Sequence, residues 1–264
     1  MKVKVLIENE SISEDLISEH GLSLYIEVKN KKILFDTGMT GSFIKNAYKM
    51  GINLLDIDTL ILSHGHYDHG GGILDFFKIN TRATVFMHRE VFKKYYNGSK
   101  YIGLDENIIL YSNRINFINN DVLLDNDIAI KVVSNKYLKY NIDSSGLMVF
   151  ENDEFKDDLF NHEIYLEIIE NGRKYLISGC SHRGILNLCE IFKPDIFIGG
   201  FHLKKIDDIE IIKKIGSKLL EYNIDYYTCH CTGDKQFEVL KGILKKRICK
   251  ISTGCILKYG DEYD

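Results

Sequence analysis

Six consecutive residues concentrate much of the chain's chemistry: His64-Gly65-His66-Tyr67-Asp68-His69, followed at once by Gly70-Gly71-Gly72. Three imidazoles and a carboxylate held this close together need something to neutralise or use them, and a pair of divalent cations does both. His64 and His66 are two apart, so on an extended or turning backbone both rings can converge on one ion. Asp68 and His69 sit one turn further and can reach a second ion a few ångströms away. Two ions sharing a water would lower its pKa from about 15.7 toward about 7 and polarise a carbonyl or phosphoryl oxygen. The glycines let the backbone turn sharply and open a helix whose N-terminal dipole favours anionic ligands. The alternative, a polar surface loop with three incidental histidines, fits less well, because neutral imidazole is the commonest metal ligand and isolated surface loops rarely concentrate it.

Such a turn needs a rigid strand behind it. Thr59 to Ser63 (TLILS) is a buried strand that runs straight into the cluster. Before it, Val3 to Glu8, Leu22 to Val28 and Lys31 to Asp36 are β-rich, with a hairpin turn at Lys29-Asn30. Phe43, Ala47 and Met50 repeat at helical spacing and predict a helix over Ser42 to Met50. Thr81 to His88 reads as a strand followed by a helix-like REVFKKYY, Arg89 to Tyr96. From Asn107 to Asn171, short alternating runs broken by Asn, Asp and Gly suit antiparallel strands. Strands over Arg173 to Cys180 and Asp195 to Gly200 flank a helix from Arg183 to Phe192. Further helices cover about 206–222 and 235–244, with a strand at Tyr226 to Cys231 and a terminal one near Cys249 to Tyr259. No linker or solenoid-like repeat interrupts the chain, so one domain over 1–264 is expected.

Composition narrows the function classes. With Lys+Arg 34 against Asp+Glu 38 the formal charge is −4, and no long basic block offers a footprint for nucleic acid. No apolar window approaches a membrane span, and the first twenty residues lack the features of a signal peptide. The six cysteines all lie in the last third without a C-x-x-C pair, which suits free thiols in the cytoplasm.

H-x-H-x-D-H after an apolar strand resembles the signature of the metallo-β-lactamase superfamily, and Phe35-Asp36-Thr37-Gly38 is similar to that family's upstream F-D-x-G element. The resemblance covers essentially the whole chain. It implies an α/β (α+β) fold, a four-layer αββα sandwich, with two metals at one edge of the paired sheets. Gly179-Cys180-Ser181-His182-Arg183-Gly184, Gly199-Gly200-Phe201-His202-Leu203 and Cys229-His230-Cys231-Thr232-Gly233 resemble the branch labelled 7,8-dihydropterin-6-methyl-4-(beta-D-ribofuranosyl)aminobenzene-5'-phosphate synthase. What the branch implies is a pterin-like, ribose-phosphate-containing substrate. Each of the three histidines lies at or near a strand end, where a sheet can hold it. The expected ligands are His64, His66 and His182 for one ion and Asp68, His69 and His230 for the other. Zinc leads, with manganese and iron accepted by the same donors.

His202 is open to three roles: a substrate or proton-transfer residue, a seventh ligand, or a core histidine. Many relatives place a bridging aspartate where this chain has Cys180, whose thiol is expected to pack behind His182, with ligation by a thiolate as the alternative. Asp36 is expected to accept the second ring N–H of a ligating histidine. Cys229 and Cys231 alternate with His230, so in a strand they would point away from it and pack. His20 and His162 lie in polar stretches and read as exposed, whereas His88 ends a strand and could line the pocket. Lys93 to Leu104 reads either as a lid with tyrosines and lysines for a planar, phosphorylated ligand or as a solvated helix end, and the acidic run Glu151 to Asp158 reads as a surface turn.

The function expected is a dinuclear metal-dependent hydrolase acting on a small-molecule phosphoester, ester or lactone, with Asp68 orienting the nucleophile and His202 acting on the leaving group. A related condensing enzyme and a non-catalytic, metal-dependent binding or sensor protein are the alternatives. A redox role with iron ranks behind both.

Overall fold

The computed structural model describes residues 1–259; residues 260–264, part of the domain expected over 1–264, lie outside the described residues. Apolar runs such as KVKVLI and KKILF form strands because both faces of their sheet are covered. Among the described residues the first large sheet runs, in spatial order, Ile256–Lys258, Lys2–Ile7, Ser23–Val28, Lys31–Phe35, Thr59–Ile61, Thr84–His88 and Ile115–Ile118. The second runs Ile248–Lys250, Asp225–Thr228, Ile196–Gly199, Arg173–Ile177, Ile164–Glu170, Ile128–Val132 and Val122–Asp125. A smaller sheet of Glu154–Asp157, Leu147–Glu151, Lys94–Asn97 and Lys100–Tyr101 stands apart.

The period-two alternation of strand side chains sorts the core into layers. Ile33, Phe35 and Ile61 face Leu166, Ile177 and Ile198 between the two sheets. Leu34 and Leu60, pointing the other way, pack on Phe43 and Ala47 of helix Ser42–Lys49 and on Ile73 and Phe76 of helix Ile73–Ile79. Leu176, Phe197 and Tyr226 cover the second outer face against helices Ile185–Phe192, Ile209–Glu221 and Asp234–Leu244. The result is the four-layer αββα sandwich. No described helix is long and apolar enough to cross a membrane, and all six cysteines are free.

Three expectations differ. Arg89 to Tyr96 is not helical: after a turn, Lys94–Asn97 pairs with Leu147–Glu151, because the buried Tyr95 and the Asn97-Gly98 turn favour a hairpin over a helix. Glu106–Arg114 is a 3-10 segment, and Ile115–Ile118 then joins the first sheet in parallel with Thr84–His88. The terminal strand is two strands in different sheets, divided at Gly254, whose φ of +95° makes the turn between them.

Candidate metal centre

Both large sheets send chain ends to one edge of the sandwich. From the first, Thr59–Ile61 leads into Ser63 and His64, and His66 starts the short helix Tyr67–Gly70. The glycines here act mainly through close packing. A Cβ on Gly71 would stand 2.1 Å from the Met39 carbonyl oxygen, and one on Gly65 2.4 Å from that of Val91. From the second, the parallel strands Arg173–Ile177, Ile196–Gly199 and Asp225–Thr228 end just before His182, His202 and His230. Asp36, Ser181, His202 and His230 all have left-handed φ, between 51° and 61°. At roughly 1–2 kcal/mol for each such residue, these four place backbone strain where side chains must converge, although turns elsewhere, such as Lys29 and Asn171, carry it too.

The hydrogen-bond network assigns the ring tautomers. Ser63 donates its hydroxyl to Asp36 Oδ2 at 2.7 Å, so its oxygen accepts from His64 Nδ1 at 2.8 Å. Asp36 Oδ2 also accepts from His69 Nδ1 at 2.6 Å. Asn9 donates its amide to the His230 carbonyl, leaving Oδ1 to accept from His230 Nδ1 at 3.0 Å. Three imidazoles are thereby fixed with Nε2 turned inward, the orientation a metal ligand requires. Asp36, expected to orient a ligating ring, orients His69 directly and His64 through Ser63.

The donors fit a cation. His64 Nε2 lies 3.3 Å from His182 Nε2, and His69 Nε2 lies 3.3 Å from His230 Nε2, which is 3.3 Å from Asp68 Oδ2. At zinc–nitrogen bonds of about 2.0 to 2.1 Å, tetrahedral ligand nitrogens stand roughly 3.3 to 3.4 Å apart. His66 Nε2, His182 Nδ1 and both nitrogens of His202 are inaccessible yet have no hydrogen-bond partner. Donor atoms of His64, His66 and His182 all lie within 4.8 Å of one another.

Electrostatics agree. Burial, reinforced by neighbouring imidazoles, pushes His64 and His182 well below the usual histidine range, and burial lowers His66 to about 3. Burial opposes charge on His69 too, but Asp36 and Asp68 outweigh it and raise it to about 9. Asp68 is held below the ordinary carboxylate range: burial resists, and His69 and His230 overcome it. His64, His66 and His182 are neutral donors beside ionised carboxylates, whereas His69 holds a proton that a bound cation would displace.

Several residues stand elsewhere than expected. Cys180 does not pack behind His182: its sulfur lies 3.2 Å from His69 Nε2, grouped with His64 and His69. Cys231 also faces the pocket, accepting the His202 amide at 3.2 Å, because the strand ends at Thr228 and a tight turn follows, which voids the alternation. His20 is exposed as expected, yet lies 3.3 Å from Asp68 at the pocket mouth. His162 is buried: its Nδ1 accepts the Gly65 amide at 2.8 Å and its Nε2 donates to Asp158 at 3.0 Å, so the acidic run turns its last member inward. His88 lines a different cavity with Arg89 and Glu90. Two buried glutamates escaped notice: Glu8 accepts the His230 amide at 2.7 Å and Glu163 that of His182 at 2.8 Å. Neither lies in a motif, and no local signal marks them.

The cluster opens into a pocket of about 420 Å³ walled by Tyr67, Ile102 and Leu147, with Lys100, Lys204 and Lys205 around it. Lys100 donates to the Tyr67 hydroxyl, and Lys205 to Asn97 Oδ1 and the Ser145 carbonyl. Among the described residues none of the three lies within ion-pair distance of a carboxylate, whereas Lys29, Lys93 and Lys250 do. The small third sheet supplies Asn97, Lys100 and Leu147, so the Lys93 to Leu104 segment is a strand-built wall, neither helix end nor free loop.

Comparison with known proteins gives a consistent picture. The family model described as the metallo-beta-lactamase superfamily matches residues 19–217. A Methanocaldococcus jannaschii protein named 7,8-dihydropterin-6-methyl-4-(beta-D-ribofuranosyl)-aminobenzene-5'-phosphate synthase is 31% identical, covering 92% of this chain and 90% of that one. An uncharacterized protein of the same organism is also 31% identical, over 88% and 91%. The crystal structure of Tm1679, described as a metal-dependent hydrolase of the beta-lactamase superfamily, superposes with a TM-score of 0.85 at 33% identity, covering 99% and 100% of the two chains.

Proposed function

Since the chain belongs to the metallo-β-lactamase superfamily, we propose that it is a dinuclear metal-dependent hydrolase of a small anionic phosphoester, ester or lactone. One observation carries this reading: three imidazoles locked with Nε2 atoms inward, beside an ionised Asp68, at the floor of an open pocket. His64, His66 and His182 would hold one cation, and Asp68, His69 and His230 the other. Imidazole donors with a nearby thiol favour zinc over harder ions. When bound, such a pair supplies Lewis acidity, lowering the pKa of a nearby water toward about 7 and polarising the substrate's carbonyl or phosphoryl oxygen.

The chain's own groups do the rest. Asp68 orients the nucleophile from its fixed position between His230 and His20. His202 faces the pocket with both ring nitrogens unpartnered, suited to hand a proton to the leaving oxygen. Lys100, Lys204 and Lys205 bind the anionic part of the substrate, and Tyr67, Ile102 and Leu147 seat an apolar or planar part while limiting water. We place the reaction in the cytoplasm, where the six thiols stay reduced.

A condensing enzyme is the second reading, favoured by the synthase relative's match along both chains. Metal analysis of protein purified without added ions, followed by phosphodiester and lactone screens, tests the proposal. About two ions per chain and turnover abolished in His66→Ala and Asp68→Asn are expected. Full activity in both variants would remove the hydrolytic reading, and tight small-molecule binding with no turnover would replace it with a binding role.

A further inference from the structure

Two of the buried cysteines are ordinary core residues: Cys189 packs among Leu188 and Tyr226, and Cys229 among the apolar residues between the sheets. Cys180 and Cys231 are equally buried but belong to neither cluster, and they border the polar pocket. Each sits past the end of a different parallel strand, and the neighbouring strand brings His202 to the same point. Cys180 Sγ, Cys231 Sγ and a ring nitrogen of His202 all lie within 4.8 Å of one another.

We propose that Cys180, His202 and Cys231 form a third cation position beside the two ligand sets described above, taking a thiophilic divalent ion such as zinc or cadmium; while it is filled, His202 serves as a ligand and not as the proton donor. This inference rests on the reading of the pocket as a metal centre. Its donors are two sulfurs and one imidazole with no carboxylate, a set that selects soft ions over magnesium, calcium or manganese. His202 carries the argument independently of the thiols. Neither of its ring nitrogens has a hydrogen-bond partner although both are shut off from solvent, and its backbone is held at φ 51°. An imidazole kept in that state loses hydrogen bonds on both sides unless a ligand takes one nitrogen. Cys231 Sγ accepts the His202 amide at 3.2 Å and donates its thiol proton to the Cys180 carbonyl at 3.4 Å, the proton a cation would replace. Cys180, 3.2 Å from His69 Nε2, is the joint between this position and the histidine cage.

Binding is a substitution of protons by metal. Two thiol protons leave to solvent, and the two thiolates neutralise the ion's double charge, which limits its repulsion with the neighbouring cations. The fourth position faces the pocket, open to water or to a thiol-containing small molecule.

Cobalt(II) titration of the full-length protein, stripped with a chelator and checked for fold by circular dichroism, tests this. Thiolate-to-cobalt charge transfer gives a strong near-ultraviolet band that imidazole and carboxylate ligation lacks. Wild type is expected to take up a third equivalent accompanied by that band and by release of about two protons. In Cys231→Ser and in His202→Gln the third equivalent disappears and the first two persist. Uptake of two equivalents by wild type, or an undiminished band in Cys231→Ser, overturns the inference while leaving the dinuclear centre intact. The proton count needs no variant, so the inference stays testable if a substitution fails to fold.

Discussion

A single hydrogen bond, from the Gly65 amide to His162 Nδ1, pins the backbone between two candidate ligands. Asp158 takes the opposite ring proton at 3.0 Å and fixes the tautomer that makes Nδ1 an acceptor. The pair acts on His64 and His66 by position alone. In His162→Asn the side-chain oxygen stands near the lost nitrogen and should preserve much of the metal affinity, whereas His162→Leu should lose roughly tenfold or more. Competition against a fluorescent chelator reads this, and equal affinities for both variants and wild type would exclude the strut. His88 offers a second test. Burial lowers it from 6.5 to about 4, and its Nδ1 accepts the Glu90 amide. Between those values the unfolded chain binds a proton that the folded chain refuses, so stability declines as pH falls through that window. Urea midpoints at neutral pH and at about pH 5 should converge in His88→Gln relative to wild type.

At the scale of elements, the glycines divide into those that admit close approach and those that do not. Gly71→Ala would thrust a Cβ to 2.1 Å from one carbonyl oxygen and 2.6 Å from another, with backbone on both sides. A loss of about 2–3 kcal/mol is expected by denaturant titration, and a neutral result would contradict the packing described. Gly242, within helix Asp234–Leu244, has open space around it, so Gly242→Ala should gain about 0.5–1 kcal/mol.

Elements were legible wherever hydrophobic period and local chemistry agreed. The strands before Asp36 and the helix after Gly41 lie within two residues of their expected limits, and the His64 to His69 cluster announces itself. Legibility failed where a partner distant in sequence decided the outcome. Lys94–Asn97 is a strand because Leu147–Glu151 lies beside it, some fifty residues on. His162 is buried because it meets Gly65, and Glu8 supports His230 across the whole chain. Cys231 departs from the expected alternation for a local reason: the strand ends at Thr228, three residues early, and the turn that follows redirects its side chain.

For the whole molecule, the key fact is that the candidate ligands come from both sheets, His64 to His69 from one and His182 and His230 from the other. Cations bound there would tie the halves of the sandwich together and favour the folded state by mass action. At free zinc a hundredfold above its dissociation constant the gain is about 2.7 kcal/mol per site. The melting temperature should therefore rise with zinc and fall with chelator in wild type. Indifference to both in wild type would argue against a cation bridge between the sheets, and His64→Ala together with His230→Ala should erase the response.

The split ending of the chain bears on synthesis at the ribosome. Lys2–Ile7 is made about 250 residues before its outer neighbour, Ile256–Lys258. Until that strand is made, one edge of the first sheet presents unpaired amides and carbonyls, the template on which strands of other nascent chains add. Ile256–Lys258 closes that seam, so messages truncated shortly before it should yield protein that depends on chaperones to remain dispersed.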